Sequence, residues 1–156
     1  MAAKSLEERI TALEDMEAIK KVHFTYCYLM DARKADEVAE LFAPGARIDF
    51  PGVGGGGTKA EIARFYREVL PSVYPFLMHN NHNSIVEVEG NKGRGKWYLQ
   101  VSATHGKTDR AMWIAGVYNN EYSKINGQWK IQSMAVTNIY GTPYDQQGWN
   151  KMQFYP

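Results

Sequence analysis

The chain has 156 residues and a net charge of +1, a size suited to one well-filled core rather than two. Its 44% hydrophobic and 22% charged residues exclude intrinsic disorder. The lack of a basic block argues against nucleic acid as a partner, and no apolar run is long enough for a membrane-spanning helix.

Six Phe, four Trp and ten Tyr bring the aromatic share to 13%. That exceeds what a minimal core requires, and the surplus of Tyr points to a pocket or interface with polar tips on apolar walls. The amino terminus alternates in charge and carries no apolar leader. Cys27 is solitary, which leaves neither a disulfide framework nor a Cys-x-x-Cys metal site. A reducing cytoplasm is the expected compartment.

In chain order, Ser5 and Glu8 have capping-box spacing. Leu6, Ile10, Leu13, Ile19, Val22, Tyr26 and Met30 recur at helical spacing. A helix is expected from about residue 6 to residue 31, broken near Asp15. A second helix from Ala35 to Phe42 is stopped by Pro44-Gly45, and a short strand follows from Arg47 to Phe50. The glycine run from Pro51 to Gly57 reads as a mobile loop. It lacks the Gly-Lys-Ser/Thr ending of a phosphate loop. Thr58 and Glu61 open a third helix, which reaches about residue 70 before Pro71 and Pro75.

The pattern then changes to period two. Strands are expected over Asn83–Glu89, Lys96–Thr104, Arg110–Lys124 and Gln128–Tyr140, with Asn126-Gly127 the strongest hairpin signal. The tail from Gly141 onward is loop-like and holds Tyr144, Trp149, Phe154 and Tyr155. Helices followed by strands give an α+β fold. It is read as one domain over residues 1–156, a cone-shaped curved antiparallel sheet packed on the N-terminal helices around an internal pocket.

Few residues can carry chemistry. Asp31 sits at the negative end of the first helix, where ionisation is disfavoured unless a cation or donor answers it. A histidine would answer it and become an oriented base. By spacing alone, Asp31 reads rather as a residue at the helix end, solvated or starting the next turn. His79 reads as a polar residue at the start of a strand, and Tyr26 as a core aromatic. Tyr26 lies about 140° from Asp31 on an ideal helix, so the two converge only if the helix end unwinds. His79 and His82 differ in strand parity, which argues against a shared metal. Tyr28 and Cys27 read as packing residues, and His23 and His105 as surface or edge residues.

Several segments together resemble the nuclear-transport-factor-2-like superfamily, and within it the SnoaL-like group. They are Leu6-Glu-Glu-Arg-Ile, Glu17-Ala-Ile-Lys20, Tyr26-Cys-Tyr-Leu-Met-Asp31, Met78-His79, Lys96-Trp-Tyr-Leu99, and the run from Tyr118 to Trp129. The group includes scytalone dehydratase and bile acid 7α-dehydratase, and the chain is also similar to hexachlorocyclohexane dehydrochlorinase. These enzymes use a His–Asp pair, which the resemblance carries onto His79 and Asp31. The bile acid enzyme's tyrosine falls on Tyr26, where the dehydrochlorinase has Lys. Its second pocket acid falls on Val101, and its late Arg on Asn138, so a greasier pocket is expected.

If Val101 faces the cavity, alternation puts Trp97, Leu99 and Ala103 on the same side. Met78, Trp113, Asn138 and Tyr140 are further wall candidates. The resemblance implies a cofactor-independent, dehydratase-type lyase acting on a hydrophobic aromatic or polycyclic small molecule, with no metal. It also implies a homo-oligomer, a trimer by analogy. Carbon–carbon cleavage releasing an aldehyde from an aryl-propanoid, double-bond isomerisation, and non-catalytic small-molecule binding or service as a partner subunit stay open.

Overall fold

The computed structural model describes residues 5–145; the expectations for Trp149, Phe154 and Tyr155 lie outside those residues. Helix α1 runs Leu6–Asp31 without the expected break, opened by a reciprocal capping box between Ser5 and Glu8. It passes through Asp15 because that carboxylate is buried and partnered. It accepts from Lys124 Nζ at 2.7 Å and from Trp129 Nε1 at 2.8 Å. Burial works to raise its pKa, but the hydrogen bonds from Lys124 and Trp129 outweigh it, and the net shift is downward. Asp15, Ile19, His23, Tyr26, Cys27 and Met30 form the buried stripe of α1.

Helix α2 is Ala35–Glu40 and strand β1 is Phe42–Phe50. The strand thus begins where the helix was expected to end, and it passes Pro44-Gly45 through a register irregularity. Strand β2, Gly54–Gly56, folds back antiparallel onto β1. The glycine run is therefore a paired edge rather than only a loop. A Cβ at Gly55 would sit 2.3 Å from the Ile48 carbonyl oxygen, so only glycine allows this approach. Helix α3, Lys59–Arg64, widens into a π-turn at Phe65–Val69 and ends as α4, Leu70–Val73. The π-turn buries Phe65 and Tyr66 side by side.

Four long strands complete the sheet: β3 Phe76–Glu89, β4 Lys92–His105, β5 Arg110–Ile125 and β6 Gln128–Pro143. The order is β2-β1-β6-β5-β4-β3. Neighbours are antiparallel except β1 and β6, which run parallel and make the sheet mixed. No hairpin joins these two strands, so no local signal sets their direction; β1 enters from the helical layer and pairs with the last strand.

Of the register irregularities in the sheet, two bear on which side chains face the cavity. In β3 the register slips between His82 and Ile85, with Asn83 at φ 51°. Leu77, His79 and Asn81 point inward before the bulge, and Val86 and Val88 after it. In β6 the register slips at Ile139, between Asn138 and Tyr140.

The middle of α1 is fixed to β3 by a dry polar cluster. His23, expected near the surface, is fully buried and stacked on Trp97 with ring centroids 3.8 Å apart. The Asn81 side-chain amide donates to His23 Nε2 at 2.9 Å and to the Cys27 sulfur. With Nε2 accepting, the ring proton sits on Nδ1, which faces Asn120 and the Tyr122 hydroxyl. A half-turn of the Asn120 amide would place its unpartnered oxygen on that proton. Burial, helped by the nearby charge of His79, pushes the His23 pKa from 6.5 down to about 3.

Two measurements follow. Asp15→Ala leaves a buried indole N–H and a partly buried ammonium without their partner, and chemical denaturation should show a loss of about 1–3 kcal/mol. The His23 ring takes up a proton near pH 6.5 when unfolded but only near 3 when folded. Stability should therefore fall as pH drops below about 6.5, by about 2 kcal/mol at pH 5 from this group alone. Urea titrations at pH 7.5 and pH 5 should show that slope, and His23→Leu should flatten it. An equal slope in the variant would assign the acid sensitivity elsewhere.

Candidate active site

Asp31 is the last residue of α1, and His79 is an inward position of β3. One carboxylate holds both the ring and the backbone of His79. The ring Nδ1 lies 2.6 Å from Asp31 Oδ1, and the backbone N–H donates to Oδ2 at 3.0 Å. The histidine side chain is 5% exposed and that of Asp31 is 27% exposed, so the pair sits at a boundary, with its imidazole on the dry side. An Nδ1–H directed at a carboxylate leaves Nε2 with its lone pair, the tautomer of a general base.

His79 lines a narrow cavity of about 80 Å³. Tyr26 and Tyr118 share the lining, and both are fully buried. Leu77 from β3, Leu99 and Val101 from β4, and Ile114 from β5 form the apolar wall. Val136 and Asn138 of β6 close another side. Phe50, Pro51 and Val53 before the glycine strand, with Leu70 and Tyr74 from the helical side, complete it. No Lys, Arg, Asp or Glu is among these residues.

Tyr26 and Asp31 meet without any unwinding of the helix, because His79 spans the gap between them. Its ring centroid is 6.4 Å from that of Tyr26, edge to face. The Tyr66 hydroxyl, behind Tyr26, donates to the Tyr26 oxygen at 3.4 Å. Burial pushes the pKa of Tyr26, Tyr66 and Tyr118 well above the ordinary value. Cys27, next to Tyr26, is driven up to about 12 by burial and stays a thiol.

Of the residues read from the sequence, the structure gathers Tyr26, His79, Leu99, Val101 and Asn138 at the cavity, with Asp31 behind His79. Four others stand elsewhere. Met78 pairs with Ser102, and Ser102 with Trp113, in one row on the outer face of the sheet. Trp113 there stacks on Tyr144, at 6.1 Å between centroids. The Ile139 bulge sets Tyr140 opposite Ala115, also an outward position, so alternation from Asn138 does not carry through. Trp97 does face inward, but its indole folds down over Gly95, where a Cβ would come within 2.0 Å of the ring. It lies on His23 instead of lining the cavity. His82 is exposed, away from His79.

The lining residues missed from sequence had uneven signals. Leu77 and Val136 follow from alternation once His79 and Asn138 are inward and β3 starts at Phe76. Tyr118 and Ile114 follow from the even-numbered inward face of β5. Phe50, Pro51, Val53, Leu70 and Tyr74 have no such signal, since only the tertiary packing brings them to the mouth.

The chain matches solved structures that share its fold. A hexachlorocyclohexane dehydrochlorinase from Novosphingobium barchaimii has a TM-score of 0.79 at 21% identity, with 92% of this chain and 96% of that one covered. A candidate scytalone dehydratase from Novosphingobium aromaticivorans has a TM-score of 0.75 at 20% identity, covering 87% and 91%. A nuclear-transport-factor-2-like protein with a cystatin-like fold, from the same species, has a TM-score of 0.68 at 19% identity, covering 90% and 94%. The family model for the SnoaL-like domain matches residues 11–135, and the chain belongs to that family.

Proposed function

We propose that the protein is a cofactor-independent lyase of the dehydratase type, acting on a neutral aromatic or polycyclic small molecule. The observation that carries this reading is the orientation of His79. Asp31 fixes Nδ1, and Nε2 is left to face an apolar cavity with tyrosine hydroxyls in its lining. Nε2 takes a proton from a carbon beside an oxygen-bearing centre. The C–H electrons form the new double bond, and hydroxyl leaves the neighbouring carbon, regaining the proton from the imidazolium as water. The floor hydroxyls, Tyr26 among them, hydrogen-bond the oxygen that gains charge. The absence of cationic side chains from the lining disfavours carboxylate or phosphate substrates.

A base in hydrogen-bond reach contributes roughly 10²- to 10⁴-fold, so His79→Ala should lower kcat by about that factor. Asp31→Asn should lose turnover too, because the imidazole loses its anchor. The assay is product mass on a panel of neutral aryl-propanoid and polycyclic alcohols. Loss of water supports the reading. Loss of formaldehyde replaces it with carbon–carbon cleavage, and unchanged mass with isomerisation. Turnover surviving intact in His79→Ala would remove His79 from the chemistry.

A homo-oligomer, a trimer by family resemblance, belongs to the same reading. Phe76, Met78 and Tyr98 stand about half exposed on the outer face of the sheet. Light scattering at the monomer mass would exclude it. Among the described residues no helix is long and apolar enough to cross a membrane.

A further inference from the structure

The cavity at His79 is too small to hold a polycyclic molecule by itself. At about 80 Å³ it falls below the ~300–1,000 Å³ usual for small-molecule sites. A second hollow, of about 330 Å³, adjoins it. Tyr74, Ile114 and Asn138 line both, and so form a neck between an inner cavity and an outer chamber. Met112, Ile139 and Gly141 line the outer chamber but not the inner cavity. The end of β6 shapes this chamber. Its bulge leaves Asn138 opposite Gly116 and Gly141 opposite Ile114, both on the inner face of the sheet. The backbone does not require glycine at 141, where φ is not positive. Among the described residues, nothing lies within 4 Å of the point where a Cβ of residue 141 would stand. Glycine at this inward position leaves open a space that a side chain would fill.

We propose that the outer chamber is a second subsite, which holds an apolar extension of the substrate while the reacting part lies against His79, and that Gly141 sets how large that extension can be. This rests on the lyase reading above, in its placing of the substrate beside His79. Among the described residues no Lys, Arg, Asp or Glu lines the chamber, so the extension is neutral. Met112, Ile114 and Ile139 give it apolar contact. The Asn138 amide, at the neck, can donate to or accept from a neutral polar group on the link between the two parts. Together the two spaces reach the usual size of a small-molecule site. The substrate class narrows accordingly, to a small aryl head joined to a second apolar group rather than one compact fused ring system.

The test compares phenol with 4-benzyloxyphenol, both neutral at about pH 7, by methyl-resolved NMR of the intact protein and by calorimetric titration. Both probes should shift the methyl signals of Leu99 and Val101 in the inner cavity. Only 4-benzyloxyphenol should also shift those of Met112 and Ile139. Burial of its second ring should make it bind about tenfold or more tighter than phenol. Gly141→Leu fills the chamber and should cancel that advantage, while phenol binding changes less than about twofold. The wild-type methyl pattern needs no variant, so it decides the matter even where thermal unfolding shows Gly141→Leu to be poorly folded. Inner methyls that shift without Met112 and Ile139 would overturn the subsite and leave the His79 cavity as the binding site. Undiminished binding of 4-benzyloxyphenol by folded Gly141→Leu would do the same. Probes that leave Leu99 and Val101 unmoved would overturn it together with the placing of the substrate beside His79. Neither probe has to react, so a wrong assignment of the base would leave the methyl pattern in place.

Discussion

One carboxylate joins the two halves of the molecule. Asp31 ends α1 and takes both the ring N–H and the backbone N–H of His79. The helix terminus is a poor place for an unanswered negative charge. Two donors from a single strand residue answer it and, in the same contact, set the register of β3 against the helix. The contact does not stand alone. Asp31, Cys27 and His23 lie four residues apart along one stripe of α1, and His79 and Asn81 share the inward face of β3. Asn81 reaches Cys27 and His23 just as His79 reaches Asp31. The strand that carries His79 is thus docked to the helix at two successive levels, both polar and both largely buried. A hydrophobic contact would bury as much area but would not choose among registers.

This arrangement explains what the sequence disclosed and what it withheld. Helical spacing and a capping box located α1 to its last residue. The hairpin at Asn126-Gly127 and the alternation of β4 to β6 were equally plain. Asp15 looked like a break because an acidic residue within a helix reads as solvent-facing until its partners, over a hundred residues away, are known. The stretch from Asn80 to Ser84 has no apolar alternation, so β3 seemed to begin at Asn83. Between Leu77 and the bulge, the inward residues of β3 are His79 and Asn81, held by hydrogen bonds rather than by burial of apolar area. Period-two reasoning cannot see a strand whose inward side is polar.

The site was legible where chemistry and parity agreed, and obscure where backbone irregularity changed the parity. His79, Asp31, Tyr26, Val101 and Asn138 came from resemblance, and the structure places them together. Tyr140 was misassigned because one extra residue, Ile139, inverts the face of everything after it. Trp97 was assigned to the correct face but the wrong place. Alternation says which side a ring leaves from, not which way it folds, and the missing Cβ of Gly95 draws this one away from the cavity. The high aromatic content divides accordingly. Trp97 and Tyr122 pack with His23 at one level. Tyr26, Tyr66 and Tyr118 meet at the cavity, and Trp113 and Tyr144 lie on the outer face of the sheet.

The electrostatics of the cavity follow from that division. Its walls are mostly apolar, its phenols are kept protonated by burial, and among the described residues the formal charge at it is Asp31, which stands behind the imidazole. Such a site offers a neutral substrate little beyond shape and apolar contact. In the proposed reaction, a proton arriving on Nε2 would be answered by Asp31, and an electron pair displaced onto oxygen by hydroxyl dipoles already in position. The low dielectric that strengthens those responses would penalise a permanently charged ligand. The dryness of the walls, the neutrality of the phenols and the distance kept by the carboxylate are therefore one property, and each would be worth less without the others.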